Sequence, residues 1–114
     1  MPSTTAQSKS KAKTVCLELT EHRYLRIPAA IAERFFPGGV FVPIVRPSGL
    51  HLIPTRGAAA GGLILKQRNL AGDRVVLLDE VIRENQLDLA AGAIEATPNS
   101  VHGGLTIQIV ADEP

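Results

Sequence analysis

The stretch LRIPAAIAERFFPGGVFV, residues 25–42, decides the fold class predicted for this chain of 114 residues. Pro28 suits the first turn of a helix, where no backbone N–H donor is needed. Ile31 and Phe35 stand four residues apart on one helical face, and the Pro-Gly-Gly at 37–39 is typical of a helix end. We therefore predict a short amphipathic helix between two strands.

Apolar runs and alternating patterns on both sides of this stretch predict a series of short strands. They cover residues 15–20, 24–27, 40–45, 50–53, 63–66, 74–78 and 105–110. Pro43 predicts an edge or a bulge in its strand, because proline cannot donate to a ladder. Residues 79–89 fit a helix or an extended segment, of which a short helical turn is favoured, and residues 90–100 are interpreted as a loop. The predicted fold class is mainly β with one or two short helices, a small barrel-like or partly open β domain.

The length of the chain predicts one small domain and excludes separate cofactor and substrate domains. Residues 1–13 are interpreted as a disordered basic tail with lysines at 9, 11 and 13. For this tail a solubilising role is favoured over that of an arm that contacts phosphates. Residues 14–114 are expected to form a single β-rich domain, with a basic part at 14–74 and an acidic part at 75–114.

The single cysteine excludes an intrachain disulfide and a cysteine-rich zinc site. Residues 1–14 lack the apolar core of a secretory signal, and no apolar run in the sequence is long enough to span a membrane. We therefore expect a cytoplasmic protein without a membrane partner.

No pattern in the sequence predicts catalysis or a bound cofactor. His22, His51 and His102 lack partners at metal-site spacing, so we interpret them as exposed or hydrogen-bonded. Cys16 stands between two apolar residues and is interpreted as a buried, inert thiol. Residues 57–62 are glycine-rich but lack the Lys-Ser/Thr of a phosphate-binding loop. The prediction is that the protein is no enzyme and holds no cofactor or metal.

The net charge of +1 conceals an uneven distribution of charge along the chain. Residues 22–74 carry eight basic and two acidic groups, whereas residues 75–114 carry one basic and seven acidic groups. Most of the basic groups are arginines, whose planar fork of donors suits phosphates, base edges and carboxylates. The candidate residues for nucleic-acid or partner binding are Arg23, Arg26, Arg34, Arg46, Lys66 and Arg68.

The acidic residues leave a second interpretation of these charges open. The basic part could be neutralised, within one chain or across a dimer, by Asp79, Glu80, Glu84, Asp88 and Glu95. Internal pairing and an external partner carry equal weight on the sequence alone.

Residues 25–42, followed by GLHLIP at 49–54, resemble the AbrB/SpoVT-like swapped-hairpin module. In that family a strand ending in Ile-Pro leads into a short helix, a Pro-Gly turn, a strand, and a last strand ending near a proline. The resemblance implies a homodimer whose hairpins interleave into a β-barrel and which binds DNA as a regulator or antitoxin. Three features depart from the family. Ala29 and Ala30 stand where basic residues are frequent, the helix-to-turn segment at 35–38 is a little shorter than usual, and the acidic second half has no counterpart.

Two functions therefore follow as hypotheses. The first is an AbrB-like, DNA-binding transcriptional regulator that places Arg23, Arg26 and Arg34 against phosphates and base edges. The alternative is a protein-binding accessory or assembly factor that acts through strand edges and charge complementarity. Residues 40–45 and 63–69 would supply the apolar surface and the strand edge for that partner.

Overall fold

The computed structural model describes residues 14–56 and 61–109, in which nine strands form one sheet and two short helices connect them. The predicted basic tail at 1–13 lies outside these residues. In chain order the elements are β1 (Val15–Leu19), β2 (Tyr24–Ile27), α1 (Ala29–Phe35), β3 (Val40–Arg46), β4 (Gly49–Pro54), β5 (Leu63–Ile64), β6 (Lys66–Gln67), β7 (Arg74–Leu77), α2 (Asp79–Asn85), β8 (Gly92–Pro98) and β9 (Leu105–Ile107).

The sheet closes almost completely on itself. Its strand order is β5-β3-β4-β9-β8-β1-β2-β7-β6, and neighbouring strands are antiparallel. The two outermost strands, β5 and β6, are separated along the chain by Leu65 alone. The Leu65 side chain is buried, and its backbone N–H donates to the Gly39 carbonyl at 2.8 Å. The predicted fold class, mainly β and barrel-like, is therefore confirmed.

The barrel is built from two consecutive units of the same design. When β5 and β6 are counted as one interrupted strand, residues 15–54 and residues 63–107 each run strand, strand, helix, strand, strand. β1 pairs with β2 of its own unit and β8 of the other, and the interrupted strand pairs in the same way with β7 and β3. The strand pairing is therefore unchanged when the two units are exchanged. One chain supplies both halves of the barrel.

Hydrophobic side chains from alternate strand positions fill the interior. Burial of these side chains is the main favourable term in folding. The fully buried large residues are Leu17, Leu19, Leu25, Ile27, Phe41, Leu50, Leu52, Leu78, Leu105 and Ile107. Seven of the nine strands therefore supply at least one buried side chain, whereas no residue of β5 or β6 is buried. The outward positions are left to carry polar side chains or surface contacts.

The two helices lie at opposite ends of the barrel. α1 follows β2 and α2 follows β7, and these two strands are antiparallel neighbours, with Tyr24 opposite Leu77 and Ile27 opposite Arg74. The chain therefore leaves β2 and β7 in opposite directions. We call these the α1 end and the α2 end of the barrel.

Two details of the strand prediction differ in their outcome. On one side of β3, β5 pairs with Val40 and Phe41 only. Among the described residues, no strand therefore lies beside Pro43 on that side of β3. The predicted edge position of Pro43 is confirmed. The predicted loop at 90–100 is wrong, because Gly92–Pro98 forms β8 between β1 and β9. Ile94 is its one large apolar side chain, so the local pattern was weak, and pairing with two neighbours decides the structure.

The helix predicted around Ile31 and Phe35 is present, but its buried contacts are displaced by one residue. Ala32 and Phe36 are 3% and 2% exposed, whereas Ile31 and Phe35 are half-buried against the core. The Phe36 ring lies 5.2 Å from the Phe41 ring, centroid to centroid. Phe36, which directly follows α1, therefore packs the connection between α1 and β3 against the barrel core.

We expect Phe36→Ala to lower the free energy of unfolding by about 3–5 kcal/mol, as is typical of an aromatic residue removed from a packed core. Phe35→Ala should cost clearly less, because that ring is half-buried. Urea denaturation of both variants measures the difference. An equal or reversed order would contradict the packing of Phe36 described above.

Candidate anion-binding surface at the α1 end

The strand directions sort the charged residues by barrel end. The C-terminal ends of β4 and β6 and the N-terminal end of β7 lie at the α1 end. It carries four arginines and two acids, namely Arg34, Arg56, Arg68, Arg74, Glu33 and Asp73. The α2 end carries three arginines and five acids, namely Arg23, Arg46, Arg83, Glu21, Asp79, Glu80, Glu84 and Asp88. The other described charged residues lie on the wall strands and add two charges of each sign, namely Glu18, Arg26, Lys66 and Glu95. Among the described residues, one end of the barrel is therefore basic and the other is acidic.

Internal pairing between the basic and acidic parts of the sequence is limited. Arg23 lies 3.6 Å from Asp79 (Nη1 to Oδ1), and its backbone has a positive φ of 71°. Asp79 also accepts from Arg83 Nε at 2.8 Å, and this bond raises the pKa of Arg83. Within the described residues, Arg23–Asp79 is the one ion pair that joins residues 22–74 to residues 75–114.

The six candidate residues are dispersed over the molecule. Arg23 and Arg46 lie at the α2 end, and Arg26 pairs with Glu18 at 3.2 Å on the barrel wall. Lys66 lies on the strand that closes the barrel. The two candidates at the α1 end are Arg34 and Arg68.

Two arginines outside the candidate set join Arg34 and Arg68 at this end. Arg56 follows β4, and Arg74 begins β7. Both belong to the run of basic residues in the sequence, but their position depends on the strand order. No local motif could have assigned them to the same end.

A groove of about 630 Å³ opens beside α1. It lies between Arg34 and Phe35 on the helix, Arg56 after β4, and the loop at 99–104. The guanidinium carbon of Arg34 is 5.1 Å from the centroid of the Phe35 ring. Of the described residues that line it, the two arginines are the only charged ones, so this lining has a positive potential.

A smaller cleft of about 240 Å³ involves the start of α1. Arg26 and Arg68 line it together with Glu18 and Asp73. The two charges of each sign balance, so this cleft lacks the positive potential of the larger groove.

Asp73 fixes the start of α1. One oxygen of its carboxylate accepts the backbone N–H of Ala29 at 2.8 Å, and the other accepts the Asn69 side-chain amide at 3.0 Å. These two hydrogen bonds, with a smaller contribution from the charge of Arg68, lower the pKa of Asp73 below its ordinary value. The carboxylate thus caps the helix from another part of the chain.

An apolar cleft of about 390 Å³ lies on the barrel wall. Tyr24, Ile64 and Leu77 line it and are 43%, 66% and 46% exposed. Lys66 and Glu80 also line it. Ile64 and Lys66 belong to the segment 63–69 that the sequence predicts to meet a partner. Sequence reasoning missed Tyr24 and Leu77, although large apolar residues at positions that alternate with buried ones were a usable signal.

The histidine prediction and the cysteine prediction have different outcomes. His51 is half-buried and lies 3.0 Å from the Ser48 hydroxyl and 2.9 Å from the Thr106 hydroxyl, so it is hydrogen-bonded as expected. Cys16 was expected to be buried but is exposed. The reason is strand alternation, because Leu17 and Leu19 take the inward positions of β1.

Comparisons with known protein families, curated proteins and solved structures gave no significant match. In the described part of the chain, no three potential metal ligands come together. None of the described helices has the length and apolar character needed to cross a membrane. The cytoplasmic location stays a prediction.

The pKa of Asp73 predicts a contribution to acid sensitivity. Because folding lowers this pKa, the carboxylate stabilises the fold above about pH 4 and loses that contribution as pH falls through the folded value. We expect Asp73→Asn to lower the melting temperature at pH 7 and to flatten its fall between about pH 5 and pH 2. Thermal melts across this range test it, with exposed Asp88→Asn as the control. Parallel curves for wild type and Asp73→Asn would contradict the cap.

Proposed function

We propose that the protein is a non-enzymatic DNA-binding regulator that contacts phosphates with its α1 end. The observation that carries the proposal is the placement of Arg34, Arg56, Arg68 and Arg74 at this one end by the strand directions. Within the described residues, none of these four arginines is in an ion pair. Their donors are therefore available to phosphate oxygens, which take most protein hydrogen bonds in DNA complexes.

The arrangement of the two units supports the resemblance to the AbrB/SpoVT-like module. In that family two chains interleave to form a barrel, and here residues 15–54 and 63–107 interleave within one chain. Residues 25–54, which resemble the family's module, lie within the first unit, residues 15–54. A homodimer is not needed to close this barrel, and in our proposal it would serve to present two α1 ends to one duplex.

The candidate residues contribute unequally to this proposal. Arg34 and Arg68 would contact the phosphate backbone. Arg23 and Arg26 already pair with Asp79 and Glu18, and Arg46 lies at the acidic end. Each phosphate contact adds about 0.9 to the slope of log affinity against log salt, so the contribution of an arginine is measurable.

We expect the double variant Arg34→Gln/Arg68→Gln to bind DNA more weakly and to reduce that slope by about 2. The matched control, Arg46→Gln/Arg83→Gln, removes the same charge from the α2 end and should bind as the wild type does. Fluorescence anisotropy with a mixed-sequence duplex at several KCl concentrations measures both. The proposal fails if the wild type does not bind at low salt, or if the two double variants lose affinity equally.

A second function, a protein-binding accessory factor, is favoured by the apolar cleft at Tyr24, Ile64 and Leu77. Exposed apolar surface of this kind is typical of protein interaction sites. Residues 63–67 are engaged in closing the barrel through β5 and β6. Strand addition there would disturb the fold, and the cleft is the better surface for a partner.

For this second function we expect affinity capture from the native host to recover a stoichiometric protein with the wild type. The double variant Tyr24→Ser/Leu77→Ser should lose that protein, because it removes apolar contact area from the cleft. Leu70→Ser, a fully exposed position outside the cleft, should retain it. Equal recovery with all three proteins would exclude the cleft as the docking surface.

A further inference from the structure

The groove beside α1 has the size and composition of a small-molecule site. Its volume of about 630 Å³ lies within the usual range for ligand pockets, roughly 300–1,000 Å³. Its apolar walls are the rings of Phe35, Pro37, Pro54 and Pro98. Such walls favour a flat apolar body, which loses water on both faces when it enters.

The polar recognition in this groove is cationic. Within residues 14–56 and 61–109, Arg34 and Arg56 are the only charged residues that line it, and neither has an ion-pair partner there. Stacking of the Arg34 guanidinium near the Phe35 ring restrains its orientation. A guanidinium held in this way offers two parallel donors to one oxyanion.

The backbone around the groove is closely packed. A Cβ atom at Gly38 would lie 2.9 Å from the Thr55 carbonyl oxygen, and one at Gly104 would overlap the Leu52 carbonyl oxygen. Both glycines therefore permit a close approach of main-chain segments. The groove has a preformed shape, which reduces the entropy lost when a ligand binds.

Asn99 lines the groove but its polar atoms are engaged elsewhere. Its side-chain oxygen accepts the backbone N–H groups of Val101 and His102 at 3.1 and 3.0 Å. Its amide nitrogen lies 3.2 Å from both His51 Nδ1 and Thr106 Oγ1. Asn99 therefore forms part of the groove wall, and Arg34 and Arg56 are the residues that attract a charged ligand.

We propose that this groove binds a small ligand that carries one oxyanion, a carboxylate or a phosphate, on a flat apolar body. The oxyanion contacts Arg34 and Arg56, and the apolar body lies against Phe35 and the proline rings. The site does not depend on the DNA-binding proposal. A bound ligand would occupy Arg34 and so compete with DNA at the α1 end.

The test is an amide chemical-shift titration of the full chain without DNA. The probes are phenyl phosphate and benzoate, with benzyl alcohol as the neutral control and inorganic phosphate as the control without a ring. We expect at least one aryl anion to give saturable shifts at Gly38, Gly103 and Gly104, with a dissociation constant of about 1 mM. The more tightly bound aryl anion identifies the oxyanion.

Variants separate the proposed site from general attraction to a basic surface. Arg34→Gln/Arg56→Gln should weaken the binding of the aryl anion about tenfold or more, because each substitution removes a charged hydrogen bond. Arg46→Gln/Arg83→Gln, with the same net charge, should leave the affinity unchanged. The proposal is overturned if neither aryl anion saturates, if benzyl alcohol or inorganic phosphate binds equally well, or if both variants weaken binding alike.

Discussion

The antiparallel pairing of β2 with β7 is the constraint on which the rest of the molecule depends. Each of these strands leads directly into a helix, and their opposite directions place α1 and α2 at opposite ends of the barrel. The four arginines of one end and the five acids of the other come from strand ends and helices that this pairing has already placed. A charge asymmetry along the sequence thus becomes an asymmetry along the barrel axis.

Closure of the barrel depends on a second, weaker feature. The strand formed by β5 and β6 is interrupted at Leu65, so its first part pairs with β3 and its second part with β7. The buried Leu65 side chain and its hydrogen bond to Gly39 hold the interruption in place. Gly39 follows α1, so this hydrogen bond joins the point of barrel closure at Leu65 to the α1 end. We expect a change in the structure at one of these places to affect the other.

Much of the fold could be predicted from local pattern, and the candidate site could not. Leu17 and Leu19 alternate with polar residues, and Pro28 begins a helix, so both elements were visible without tertiary information. Gly92–Pro98 was not, because alanine and threonine give a weak strand pattern until two neighbours pair with them. The grouping of Arg34 with Arg56 depends on which strand ends meet. That information lies in the pairing order and in no local segment.

A tandem pair of units permits something that a homodimer of identical chains does not. In a symmetric dimer both barrel ends must carry the same residues. Here α1 and α2 have corresponding places in their units, and the buried Ala32 and Ile82 mark the same helical position. Two residues further on, Arg34 in α1 corresponds to Glu84 in α2, and Phe35 corresponds to Asn85. The two units can therefore diverge in charge while they share one core. The Arg34 and Phe35 that line the positively charged groove at the α1 end are replaced by Glu84 and Asn85 at the α2 end.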